Sequence, residues 1–153
     1  MNERVALGWL LPLRLLMGVI LVVAGWEKFS SGWLHGDQLH NAVATWLGQH
    51  RPHGFFRPVL ETARAHPKIF GTLVTIGECA IGTSFVLGAF TRPMALLGTI
   101  LLASIAAGSG ETPLRPGTAL MMAAISLTFV FTAPGRFLGI DQALRGRLPR
   151  WLV

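Results

Sequence analysis

Residues 69–90 read IFGTLVTIGECAIGTSFVLGAF, a run of 22 residues whose one charge is Glu78, near its middle. An apolar run of about 20 residues, wound as a helix, spans a hydrocarbon layer roughly 30 Å thick. The stretch therefore predicts a membrane helix carrying a carboxyl group. Acids at that depth cost on the order of 3 kcal/mol on insertion scales and face the interior of a helix bundle. Gly71, Thr75, Glu78 and Gly82 follow one another at spacings of 4, 3 and 4, so all four are expected on one helical face, and that face, made of small residues, admits a close neighbour.

The rest of the chain fits this setting. Of 153 residues 52% are hydrophobic and 13% charged, about half the charge of an ordinary soluble domain, so a single integral membrane domain is expected over residues 1–153. Four apolar runs predict an all-α, four-helix membrane bundle, with helices at about residues 5–28, 68–90, 93–108 and 117–133. The third run is the short one, and the turn before it is expected at Thr91, Arg92 and Pro93. The net charge of +6 would suggest nucleic acid in a soluble protein. Here the bases cluster at helix ends, the pattern of topology signals and headgroup contacts with the lipid bilayer, so no nucleic-acid partner is expected.

Residues 30–67 differ in kind. They are polar, hold all five histidines and contain two short amphipathic stretches, at 37–47 and 55–65. Leu39, Val43, Trp46 and Leu47 can share one face, as can Phe56, Val59, Leu60 and Ala63. This predicts a cap of two short helices over one end of the bundle. Arg4, Arg92, Arg136, Arg145, Arg147 and Arg150 fall on the opposite side, the last four in a tail at 134–153. By the positive-inside rule both termini are expected in the cytoplasm, with the cap outside a bacterial-type inner membrane.

Several residues are candidates for chemistry. In the first run Arg14, Gly18, Leu21, Gly25 and Lys28 recur at 4, 3, 4 and 3, placing a buried guanidinium and a terminal lysine on one glycine-bearing face. At about 1.5 Å per residue, Arg14 is roughly 14 Å from Val5 and Glu78 roughly 14 Å from Leu87. Equal depth predicts that Arg14 and Glu78 meet as an ion pair. The alternative is a snorkelling arginine and a protonated acid satisfied by a carbonyl or hydroxyl. Trp26, Glu27, Lys28 and Trp33 are expected to form a mouth beneath the cap, either binding substrate or anchoring the interface. Arg51, Arg57 and Arg64 would help draw in an anion. A metal site is not expected: of His35, His40, His50, His53 and His66, the pair His50 and His53 is interrupted by Pro52. The lone Cys79 excludes disulfide-exchange chemistry within the chain, which needs a cysteine pair.

Three segments carry a family resemblance: RLLMGVILVVAGWEKF at 14–29, GECAIGTSFVLGAFTRPMALLG at 77–98 and APGRFLGID at 133–141. Together they resemble the DoxX-like membrane proteins, and the long loop is most similar to the DoxD type, the membrane subunit of thiosulfate:quinone oxidoreductase. The resemblance implies a bundle beside the quinone pool, a quinone as electron acceptor, a small sulfur anion such as thiosulfate as substrate, and a partner subunit or homo-oligomer. No covalent cofactor is expected. Glu78 would carry protons to the quinone, with Arg14 holding it. Two other classes fit the same residues: a non-catalytic membrane anchor or assembly subunit of a redox complex, and a small transporter or lipid-handling protein.

Overall fold

The computed structural model describes residues 3–35, 37–49, 54–144 and 149, and it is all-helical. Among the described residues, seven α-helices follow in order: α1 Glu3–Ser30, α2 Asp37–Gln49, α3 Arg57–Ala65, α4 Pro67–Leu87, α5 Thr91–Ser109, α6 Thr118–Thr132 and α7 Ile140–Leu144. Short 3₁₀ turns at Trp33–His35, Gly54–Phe56 and Pro134–Arg136 join some of them. Three segments are long and apolar enough to cross a membrane, Gly8–Ser30, Pro67–Leu87 and Thr91–Ser109, whereas Thr118–Thr132 is apolar but shorter.

The third apolar run is thus longer than expected. Its helix begins at Thr91, because Pro93 lies in the first turn, where no intrahelical N–H bond is lost. The reversal falls instead on Gly88, Ala89 and Phe90, with Gly88 and Phe90 both left-handed at φ 65° and 52°. Phe90, as the helix-capping residue, offers no side-chain acceptor, and Asp141 supplies one from 50 residues away. Its carboxylate accepts from Phe90 N at 2.6 Å, Thr91 N at 3.0 Å and Thr91 Oγ1 at 2.6 Å, while its own N–H donates to Gly88 O at 2.9 Å. The chain after α6 is thereby tied to the α4–α5 turn.

The long helices pack chiefly as α1 on α4 and α5 on α6, with α4 against α5 joining the pairs. One core runs through all four: Met17 and Leu21 from α1, Ile81 and Phe85 from α4, Ala95 and Leu102 from α5, Ala123 and Phe129 from α6. Phe85 and Phe129 meet edge to face with ring centres 5.3 Å apart. The α1–α4 seam is close because it is lined with glycine: a Cβ at Gly18 would strike Gly82 O and Val86 N, and one at Gly25 would strike Cys79 Sγ. As expected, Gly71, Thr75, Glu78 and Gly82 are all buried on one face of α4.

Helices α2 and α3 make a second, smaller core of Leu39, Val43 and Leu60, closed by Trp33, Trp46, Leu47, Phe56 and Phe70. Trp46 and Leu60 lie over Gly108 of α5, which seats this pair at one end of the long helices. Val59, expected on the inner face of its helix, is 42% exposed. The α4–α5 turn and α7 occupy the other end.

Candidate functional site

The α1–α4 register decides which charges can meet. Gly18 lies against Gly82, Gly25 against Thr75 and Cys79, and Gly88 against the Arg14 guanidinium. Arg14 is therefore level with the end of α4, ten residues or about 15 Å from Glu78 along that helix. The expected Arg14–Glu78 ion pair does not form. The physical reason is that α1 runs well past the α4 terminus, so equal distances from helix ends do not mean equal depth.

Arg14 is 1% exposed, and backbone carbonyls accept from both terminal nitrogens of its guanidinium, while its buried Nε has no hydrogen-bond partner among the described residues. Nη1 donates to Pro134 O at 3.0 Å and Phe137 O at 3.2 Å, and Nη2 donates to Leu138 O at 3.2 Å. These carbonyls belong to the irregular stretch after α6 that also carries Asp141. Arginine and aspartate together fasten that stretch beneath the turn.

Glu78 has a different partner. Lys28, in the last turn of α1, places Nζ 2.7 Å from Glu78 Oε2, with side-chain exposures of 20% for the lysine and 5% for the acid. One turn before the lysine, Gly25 lacks a Cβ, which leaves room for Cys79, the residue next to the acid. Over the ammonium lies the Trp33 ring, its centroid 5.4 Å from Nζ. Trp33 is positioned by its own turn: Gly32 takes φ 87°, His35 N–H donates to Gly32 O at 3.0 Å, and the Trp33 carbonyl rests against Gly71, where only hydrogen fits. Thr75 does not join the pair, since its hydroxyl donates to Gly71 O at 2.8 Å.

The other expected mouth residues lie elsewhere. Trp26 is 66% exposed and stacks on Phe29 on the outward face of α1, and Glu27 beside it is exposed too. Arg57 bonds Glu61 at 3.3 Å on the exposed side of α3, and Arg64 is exposed on the same helix. Arg51, His50, His53, Arg145, Arg147 and Arg150 lie outside the described residues. No group of three or more His, Cys, Asp or Glu comes together among the described residues. Sequence reasoning missed Asp141 and Glu111 as helix caps; Glu111 Oε2 accepts from Leu120 N at 2.7 Å and so serves the start of α6. It also missed Lys28 as the partner of Glu78. The usable signal was the glycines: matching Gly18 and Gly25 with Gly82 and Thr75 sets the register that helix ends misjudge.

The arrangement can bind charge and hold a proton. The ammonium has three N–H donors, one of them spent on Glu78, and the acid behind it has a buried carboxylate whose charge depends on that lysine. Long apolar helices enclosing such a pair define an α-helical membrane protein with a polar site at one end of its α1–α4 seam. The chain matches the family model described as DoxX over residues 9–109, a span that takes in α1 to α5 and both members of the pair, and it belongs to that family. No curated protein and no solved structure matches it.

Proposed function

We propose that this DoxX-family protein is the membrane subunit of a quinone-linked oxidoreductase acting on a small sulfur anion, with thiosulfate as one member of that class. The observation that carries the reading is the Lys28–Glu78 pair, a half-screened cation with a more deeply buried acid directly behind it. In this reading Lys28 receives the anion and Glu78 moves the proton that quinone reduction consumes. A quinone gains two electrons and two protons on becoming a quinol, so a relay near its site must release and recover protons. Trp33 shields the lysine and strengthens its attraction for an anion by excluding water.

The four long helices form the membrane bundle, α6 included, and the α2–α3 pair is the outer cap. Both termini face the cytoplasm of a cell with an inner membrane, and the quinone enters from the bilayer. Electrons pass through a partner subunit, which supplies the redox group. The role first expected of Arg14 at the reacting centre falls to Lys28.

The test is reconstitution into liposomes with a soluble quinone analogue, a panel of small sulfur anions and membrane extract as the source of a partner. Quinone bleaching is expected with the unaltered protein, and Glu78→Gln or Lys28→Met should slow it by about tenfold or more, the usual scale for removing a proton-transfer group. A partner that co-purifies stably with no turnover on any anion would replace this reading with that of an assembly subunit.

A further inference from the structure

The Lys28–Glu78 couple is electrically neutral, and its two members are unequally accessible, at 20% and 5% exposure. An anion arriving from the α2–α3 end meets the ammonium before the carboxylate. The ammonium has N–H donors besides the one on Glu78, but its single charge neutralises one anion, so an anion that takes that charge displaces Glu78 and leaves the carboxylate a buried charge with no counter-ion. Burial penalises the charged form, so the acid takes a proton. We infer that this couple takes up a singly charged small anion together with one proton. The inference rests on the reading above that Lys28 and Glu78 are the anion site, and it narrows the substrate within that class to a monoanion, which makes thiosulfate, a dianion, a poor substrate.

The exchange balances. The N–H···O bond between Lys28 and Glu78 breaks, an N–H···anion bond forms on Lys28, and an O–H bond forms on Glu78; the site begins neutral and ends neutral. A dianion would leave an uncompensated negative charge unless a second proton or a second cation came with it. Among the described residues, Lys28 and Glu78 form an ion pair only with each other. Of the titratable groups on elements packed around them, Cys79 is next to the acid on α4, His35 ends the Trp33 turn, and Asp37 and His40 lie on α2. His35 and Asp37 are exposed and His40 is half-buried. Arg57, Glu61, Arg64, His66 and Lys68 are exposed on α3 and its junction with α4, so solvent screens their charge. Among the described residues, no fixed cation stands ready for the second charge of a dianion.

The test uses the full chain in detergent at pH 7, with thiocyanate as a redox-inert monoanion and thiosulfate as a dianion of similar chemistry. Titration calorimetry in two buffers of different ionisation enthalpy counts the protons bound. Thiocyanate should bind with close to one proton per anion, and thiosulfate should bind about tenfold more weakly or worse at equal ionic strength. Glu78→Gln should bind thiocyanate with no proton uptake, Lys28→Met should bind neither anion, and His40→Gln should behave as the unaltered protein. Thiosulfate binding as tightly as thiocyanate, uptake that survives Glu78→Gln, or no binding of either anion overturns the inference. The unaltered protein alone decides the first and third of these, so a variant that fails to fold does not spare the idea. Monoanion binding with a proton but without quinone bleaching would sink the oxidoreductase reading and leave this one standing. Bleaching accompanied by tight, proton-free thiosulfate binding would do the reverse.

Discussion

Arg14 and Lys28 stand on one face of α1, fourteen residues apart, yet the protein treats the two cations in opposite ways. The arginine is fully enclosed and gives three hydrogen bonds to main-chain carbonyls, whose positions are fixed by the chain itself. The lysine is partly open and gives its charge to one carboxylate, a group that can change its own charge. Their neighbours follow suit: Asp141 is spent on backbone N–H groups and a threonine hydroxyl, whereas Glu78, among the described residues, has Lys28 alone. A charge satisfied by backbone cannot be released without unfolding something. One satisfied by a single titratable side chain can be exchanged for a ligand, which is why chemistry is assigned to the lysine end.

The largest effect should come from breaking the arginine end. Arg14→Met takes the arginine's hydrogen bonds from the Pro134, Phe137 and Leu138 carbonyls, of which Pro134 O keeps the Phe137 N–H, and should cost about 3–5 kcal/mol of stability, read by thermal unfolding in detergent. Adding Glu78→Gln to that variant should change stability by the same amount as it does alone, to within about 0.5 kcal/mol, since the two groups share no partner. Strong coupling between these positions would mean that the register of α1 on α4 is wrong.

That register marks the limit of what the sequence makes legible. The apolar runs locate the long helices to within a few residues, because membrane-spanning length and helical periodicity are local properties. The small-residue face of α4 is equally plain, as is the amphipathic pattern of α2 and α3. The site was half legible: Glu78 stands out as a lone acid in an apolar run, and Lys28 and Trp33 fall on the right end of the first helix. Which of two cations meets the acid depends on how far one helix slides along another, a matter settled by Gly18, Gly25 and Gly82 in contact and by the unforeseen overhang of α1. Asp141 was invisible for a related reason, since it caps a helix that begins 50 residues earlier. Nothing local to the sequence near Asp141 or Thr91 announces the other.

A smaller effect should follow at the lysine end. In a cycle of Lys28→Met and Glu78→Gln the two changes should couple by about 1–3 kcal/mol, less than the loss from Arg14→Met because the lysine retains some solvent and a bared acid can protonate. The double variant should be more stable than the sum of the two single losses implies, and it should unfold in one transition. Additive losses here would remove the pair as an energetic unit and bring the two ends of α1 closer in character.

The smallest effect sharpens the contrast in another way. Arg14 and Asp141 lie at the end of the main core, whereas Lys28 sits under α2 and α3, whose apolar residues form a separate small core. A small satellite core should open without the bundle, because few buried contacts are lost when it does. Gly48 lies near the C-terminal end of α2 with nothing within 4 Å of a Cβ built there, so alanine fits without strain. Gly48→Ala should stabilise that helix by about 0.5–1 kcal/mol through reduced backbone freedom of the unfolded segment. If the two cores open separately, amide exchange in 37–49 and 57–65 should slow by about twofold to fivefold, the factor that this free energy converts to, while exchange in α4 and α5 and the midpoint of global unfolding stay where they were. Equal slowing throughout all the helices would show one cooperative unit. The lysine site would then be as rigidly enclosed as the arginine, and an anion could reach it only through opening of the whole fold.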